Sequence, residues 1–150
     1  MTAELKYLAL VAIFTALMWL PYMLNVVMVR GVVDAMGYPD DPKPIAPWAS
    51  RMKAAHYNAV ENLVVFAVLV LIAHEANISN EATIMACSVY FWARMLHFAS
   101  HACAVPMARS LAFIVGVICQ LIIADCPVRY SIRDSRAISC SCIARNIDCI

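Results

Sequence analysis

Residues 51–73 read RMKAAHYNAVENLVVFAVLVLIA. The segment begins charged and polar, then turns into an apolar run long enough to enter a bilayer. His56, Asn58, Glu61 and Asn62 sit along that transition, with Glu61 about two helical turns inside the hydrophobic stretch. A carboxylate at that depth is costly unless it faces a partner or a water-filled cavity. The stretch therefore reads as a membrane helix carrying part of a polar site, and the fold follows from what surrounds it.

Of 150 residues, 64% are hydrophobic and only 14% charged, with a mean hydropathy of +0.77. A soluble domain is about a quarter charged and roughly half apolar, so this composition predicts an integral membrane protein. The net charge of +1 and the absence of a basic, aromatic-interleaved patch exclude nucleic acid as a partner. With three glycines there is no glycine-rich phosphate loop, and no G-x-S-x-G nucleophile motif occurs. The first apolar run, residues 7–29, has no charge over its whole length. It exceeds the ~7–15 residues of a signal-peptide core and has no small-residue cleavage site after it, so it reads as a membrane helix.

The first helix is thus predicted over residues 7–29, kinked at Pro21, with Arg30 at its end. Residues 31–53 make the longest connection, and Pro39, Pro42, Pro44 and Pro47 keep much of it irregular. The second helix runs from about Pro47 or Trp48 to Ala73. After a polar turn, HEANISNEA, Ser79 or Asn80 can cap a third helix over residues 81–104. Pro106 closes it, and a fourth helix over residues 107–124 opens with Arg109 and Ser110.

The predicted fold is an all-α membrane protein, a four-transmembrane-helix bundle over residues 1–124. Residues 125–150, rich in Cys, Arg and Ser and without an apolar period, read as a disordered or weakly structured extension. Cys87, Cys103 and Cys119 lie in apolar runs and are expected to be buried small hydrophobes. Cys126, Cys140, Cys142 and Cys149 match no zinc template.

Arg30, Lys43, Arg51 and Lys53 crowd the first connection, whereas the chain start has Lys6 and the turn between helices two and three has no Lys or Arg. The positive-inside rule then puts the first and third connections in the cytoplasm and both termini outside. The arginines of residues 125–150 pull the other way.

With alternating helix directions, the intramembrane polar groups fall toward one leaflet. Arg30 ends helix one; His56, Asn58 and Glu61 lie early in helix two; His97 and His101 come late in helix three, with Arg94 deeper; Arg109 and Ser110 open helix four. Asn58 and Glu61 are i,i+3, and Arg94, His97 and His101 are i, i+3 and i+7, so each set shares a helix face. Such a cluster offers cations for carboxylates, a carboxylate for an ammonium, and amides for peptide groups. A small zwitterionic peptide would suit it. The plainer alternative is that Glu61 only neutralises Arg94, that His56 packs at an interface, and that Ser110 caps helix four. His97 and His101 are spaced i,i+4, but no further ligand aligns with them and Arg94 would repel a cation, so no metal site is predicted.

The pattern R-x-x-x-A-H-x-N-x-x-E, here Arg51, Ala55, His56, Asn58 and Glu61, resembles the helix-two signature of the MAPEG family, the membrane-associated proteins in eicosanoid and glutathione metabolism. FWARMLHF with Arg94 and His97, and P-x-x-R-S with Arg109 and Ser110, extend the resemblance over residues 5–124. The resemblance implies a homotrimer with a cytoplasmic glutathione site between protomers. It implies that Asn58 and Glu61 hold the peptide and its amino group, with His97, His101, Arg94, Arg30 and His56 around them. Arg109, with Ser110, would stabilise the thiolate, since a guanidinium beside a thiol of pKa ~8.5 favours the nucleophilic ion. The second substrate would be a lipophilic electrophile or hydroperoxide from the bilayer, with membrane lipid as the surrounding partner.

Three positions depart from the family pattern: His101 stands where many members carry a tyrosine, Ala54 where several carry an arginine, and residues 125–150 do not look like a family C-terminus. Two readings of function follow, a glutathione-dependent transferase or peroxidase and a non-catalytic membrane lipid binder of the same family. A proton-coupled exporter is disfavoured because helix one has no acidic residue beyond Glu4.

Overall fold

The computed structural model describes residues 1–147, with side chains as far as Tyr130 and that of Ile132 besides. Six helices follow one another: α1 Ala3–Leu17, α2 Trp19–Arg30, α3 Val32–Met36, α4 Pro47–Glu75, α5 Glu81–Ala102 and α6 Pro106–Ile147. No strand occurs among the described residues.

The first apolar run is broken rather than gently kinked. Pro21 cannot donate to the carbonyl of Leu17 and its ring crowds that carbonyl, so the interruption falls at Met18, between α1 and α2. The Met18 N–H still reaches the Phe14 and Thr15 carbonyls, at 3.1 and 3.2 Å, which keeps the two pieces as one rod. At Gly31 a φ of 83° ends α2, a conformation that costs glycine little.

The connection that follows is partly helical, through the five residues of α3, and is then tied back onto α2. Asn25 Oδ1 accepts from the Ala46 N–H at 3.0 Å and Arg30 Nε donates to the Lys43 carbonyl at 2.8 Å.

Pro47 is well placed as the first residue of α4 because that N–H has no helical partner anyway. Asn80 caps α5: its side chain accepts from the Thr83 N–H while the Thr83 hydroxyl accepts from the Asn80 N–H. α6 extends well past Ala124, where a disordered or weakly structured extension is predicted. Its backbone stays helical through Pro127 to Ile147. An i,i+4 pair, Arg129 to Asp125 at 2.5 Å, spans that proline. The side chains of Cys140, Cys142, Arg133, Arg136 and Arg145, and all of Cys149, lie outside the described residues.

Three stretches are long and apolar enough to cross a membrane: Ala3–Arg30, Pro47–Glu75 and Pro106–Tyr130. α5 has 22 residues, enough length for a span, but it carries Arg94, His97 and His101 and is the polar rod of the set. It lies against α1, α4 and α6.

Where these rods meet, Val11, Phe66, Val70, Cys87, Tyr90, Cys119 and Ile123 form the main core. There Phe66 and Tyr90 stack with centroids 3.9 Å apart. Outward faces are apolar too, with Leu24, Val64, Leu121 and Trp92 each more than half exposed, the pattern of a surface meeting lipid or another apolar partner. Cys87 and Cys119 are buried as predicted. Cys103 is not, because it falls in the turn after α5 and is exposed.

Candidate functional site

The N-terminal half of α4, the C-terminal half of α5 and the start of α6 converge at one end of the bundle. Between them lies a groove of about 430 Å³ lined by Asn58, His97, His101, Arg109, Ser110, Phe113 and Ile114. The helical periods explain the convergence. Positions 97 and 101 lie on one stripe of α5, and positions 109, 110, 113 and 114 on one stripe of α6. His97 is buried and His101 half-buried; their rings stand 4.7 Å apart, and Phe113 lies 6.3 Å from His97.

Arg94 sits one turn deeper than His97 and is 3% exposed. Its Nη1 donates to Asn58 Oδ1 at 3.3 Å. The guanidinium lies over the Tyr90 ring at 5.0 Å and the Phe113 ring at 5.8 Å, a packing that favours a cation. Nε and Nη2 have no partner among the described residues. Gly116 makes the space: a Cβ there would overlap Nη2 and stand 3.2 Å from Cζ. Further hydrogen bonds continue the contact of α4 with α5 and α6. Tyr90 Oη donates to the Asn62 carbonyl at 3.2 Å and Gln120 Nε2 donates to the same carbonyl at 3.0 Å, while Asn62 Nδ2 donates to the Asn58 carbonyl at 2.8 Å.

The mouth of the groove is cationic. Arg109 is exposed and lines both the groove and a neighbouring hollow of about 180 Å³. Arg51 borders that hollow; its Nε donates to the His101 carbonyl at 3.1 Å and its Nη2 to the Ala102 carbonyl at 3.3 Å. The last carbonyls of a helix have no partners of their own, so Arg51 closes the end of α5.

His56, Arg30 and Glu61 do not line the groove. His56 instead packs between helices: its Nδ1 lies 3.0 Å from Tyr22 Oη and its ring stacks on Tyr57. Arg30 is spent on the Lys43 carbonyl. Ser110 does not cap α6, since its hydroxyl donates to the Pro106 carbonyl at 3.1 Å, one turn back along the same helix. Glu61 is exposed and forms no ion pair with Arg94. The neutralising pair weighed from the sequence is therefore absent. Among the described residues no cluster of His, Cys, Asp and Glu could hold a metal.

Sequence reasoning passed over Arg51 as a structural clamp and Tyr90 and Gln120 as links in the polar chain. It also passed over Glu4, at the opposite end, which is 4% exposed. Glu4 Oε1 accepts from the Ser79 and Thr83 hydroxyls at 2.9 and 2.8 Å, tying the start of α1 to the start of α5. A charge in the first turn of an apolar helix was the available signal, since a carboxylate is favoured at a helix N-terminus.

Compared with known proteins, residues 7–127 match the model of the MAPEG family, so the match spans the core helices and both sides of the groove. No curated protein matches the chain.

Proposed function

The chain belongs to the MAPEG family, and on that footing we propose that it is a membrane-embedded glutathione-dependent transferase or peroxidase acting on lipophilic electrophiles or hydroperoxides. The observation that carries this reading is the groove itself, in which Asn58, His97, His101 and Arg109 converge at one end of an otherwise apolar bundle. Asn58 and Glu61 hold the peptide, His97 and His101 form the α5 wall, and Arg109 faces the thiol. Its guanidinium favours the thiolate, and each pKa unit of lowering corresponds to ~1.4 kcal/mol. The second substrate arrives through the apolar faces beside α5 and α6. At an electrophilic carbon the thiolate sulfur forms the S–C bond as the leaving group departs with its electron pair. At a hydroperoxide it takes the terminal oxygen as the O–O bond breaks and the alkoxide leaves as an alcohol, and a second glutathione converts the resulting sulfenic acid to disulfide and water.

Glu61 is exposed with no partner among the described residues. That supports a site completed by a second copy of the chain, and so a homotrimer of four-span protomers. Arg30, Lys43, Arg51 and Lys53 lie between the end of α2 and the first turns of α4, and Arg51 borders the hollow beside the groove, which supports a cytoplasmic groove and termini on the far side.

A second reading, a non-catalytic lipid binder of the same family, draws on two features. Ser110 turns its hydroxyl inward to Pro106, and His101 stands where many members carry a tyrosine. The two readings separate on one assay, purified protein with glutathione and 1-chloro-2,4-dinitrobenzene. Turnover, with a glutathione-dependent rise in thermal stability, is the expected result. The absence of both turnover and a shift would overturn the enzyme reading.

A further inference from the structure

Arg94 is a guanidinium held inside the bundle without a carboxylate. A guanidinium has donors and no acceptor, so the Asn58 atom that meets Nη1 must be the amide oxygen. That choice leaves Nδ2 as the other end of the amide. Nδ2 makes no hydrogen bond within the described residues, and Asn58 lines the groove. We propose that Arg94 is a positioning residue: it locks the Asn58 amide so that two N–H donors face the groove, and the subsite at Asn58 therefore takes an acceptor, a carbonyl or carboxylate oxygen, and rejects an ammonium. This rests on the proposed glutathione site and assigns the chemistry of one part of it. The peptide's ammonium is left to Glu61.

The lock is built from three helices. Tyr90 of α5 and Phe113 of α6 flank the guanidinium, and Gly116 of α6 leaves the room that any larger residue would fill. Among the described residues Nε and Nη2 find no partner, and the bond to Asn58 is the guanidinium's one hydrogen bond. A buried cation with a single neutral acceptor holds that acceptor firmly, because losing it leaves the charge without compensation.

Asn58→Asp tests the assignment. It keeps an oxygen on Arg94, adds the missing counter-charge, and replaces the groove-facing donor with an acceptor. The melting temperature should rise by several degrees while the Kd for glutathione, measured by isothermal titration, weakens at least 10-fold. Unchanged or tighter glutathione binding would overturn the assignment. Gly116→Ala, which pushes the guanidinium aside, should weaken glutathione binding several-fold in a folded protein, and unchanged binding counts against the lock. If the wild-type protein binds no glutathione, the proposed function fails by itself. The lock is then read from stability: the Asn58→Asp gain should vanish in an Arg94→Met background, and an equal change in both backgrounds would overturn it.

Discussion

Arg51, in the second turn of α4, donates to the carbonyl of His101, the second-last residue of α5, at 3.1 Å. Its Nη2 reaches the Ala102 carbonyl as well, so one side chain fixes the end of α5 to α4 beside the groove. Hydrogen bonds from a charged donor are worth ~1.5–3 kcal/mol each before discounting for exposure, and Arg51 is half-buried. Arg51→Met should cost about 1–2 kcal/mol in total. It should also lower kcat/KM, because His101 and the turn leading to Arg109 lose their anchor. Denaturant unfolding in mixed micelles together with steady-state kinetics checks both effects.

At the far end, Glu4 joins α1 to α5 through two hydroxyls. Glu4→Ala leaves the Ser79 hydroxyl without its acceptor and the Thr83 hydroxyl with the Asn80 carbonyl alone, at 2.9 Å, and should destabilise the protein by ~1–3 kcal/mol. Glu4→Gln keeps an acceptor and should cost less. Glutathione affinity of the folded fraction should not change in either variant, since Glu4 lies at the end away from the groove. A titration showing affinity loss would tie the two ends together.

Phe66 is fully buried and stacks on Tyr90 at 3.9 Å. Phe66→Ala should cost ~3–5 kcal/mol, the range for emptying an aromatic site in a core. It should also loosen Tyr90, whose hydroxyl holds the Asn62 carbonyl. A drop in melting temperature larger than that of Tyr90→Phe is the expected order, because the latter removes only the hydroxyl's bonds to the Asn62 carbonyl and from Gln120 Nε2, worth ~1 kcal/mol each.

Glu61 is exposed and has no hydrogen bond or ion pair among the described residues. Glu61→Gln should therefore leave the melting temperature in place and raise the glutathione Kd about 10-fold, the loss of roughly 1.4 kcal/mol from a charge-assisted contact. A stability loss without a change in Kd would return Glu61 to a structural role.

Periodicity made much of this legible. The stripe of Arg94, His97 and His101 follows from helical spacing alone, and Asn58 lies on the α4 face that meets it. Helix ends were readable where chemistry marks them, at Pro47 and at Ser79 or Asn80, of which the structure uses Asn80. Pro21 announced a fault in the first rod, though the break lies three residues earlier, because proline disturbs the carbonyl one turn before it.

What the sequence hid depends on partners far apart in the chain. Arg51 meets a carbonyl 50 residues away, and Glu4 meets hydroxyls 75 and 79 residues away. No local pattern encodes those pairings. Glu61 and Arg94 looked complementary by charge and depth, but charge does not specify rotation about a helix axis. Arg94 turns inward to Asn58 and Glu61 outward. The long α6 was obscured by composition: the Ser- and Cys-rich segment after Ala124 lacks an apolar period, yet it contains no glycine, and Pro127 is accommodated within the helix.

The central claim is that glutathione binds in the groove and is ionised there by Arg109. The ultraviolet absorbance of the thiolate reads this directly in purified protein titrated with glutathione at neutral pH, where the free thiol of pKa ~8.5 is mostly protonated. The account predicts a saturable thiolate band in the wild-type protein and its loss in Arg109→Ala, with glutathione still bound. A wild-type protein that shows no thiolate band on saturation, or an Arg109→Ala variant that keeps it, would contradict the account.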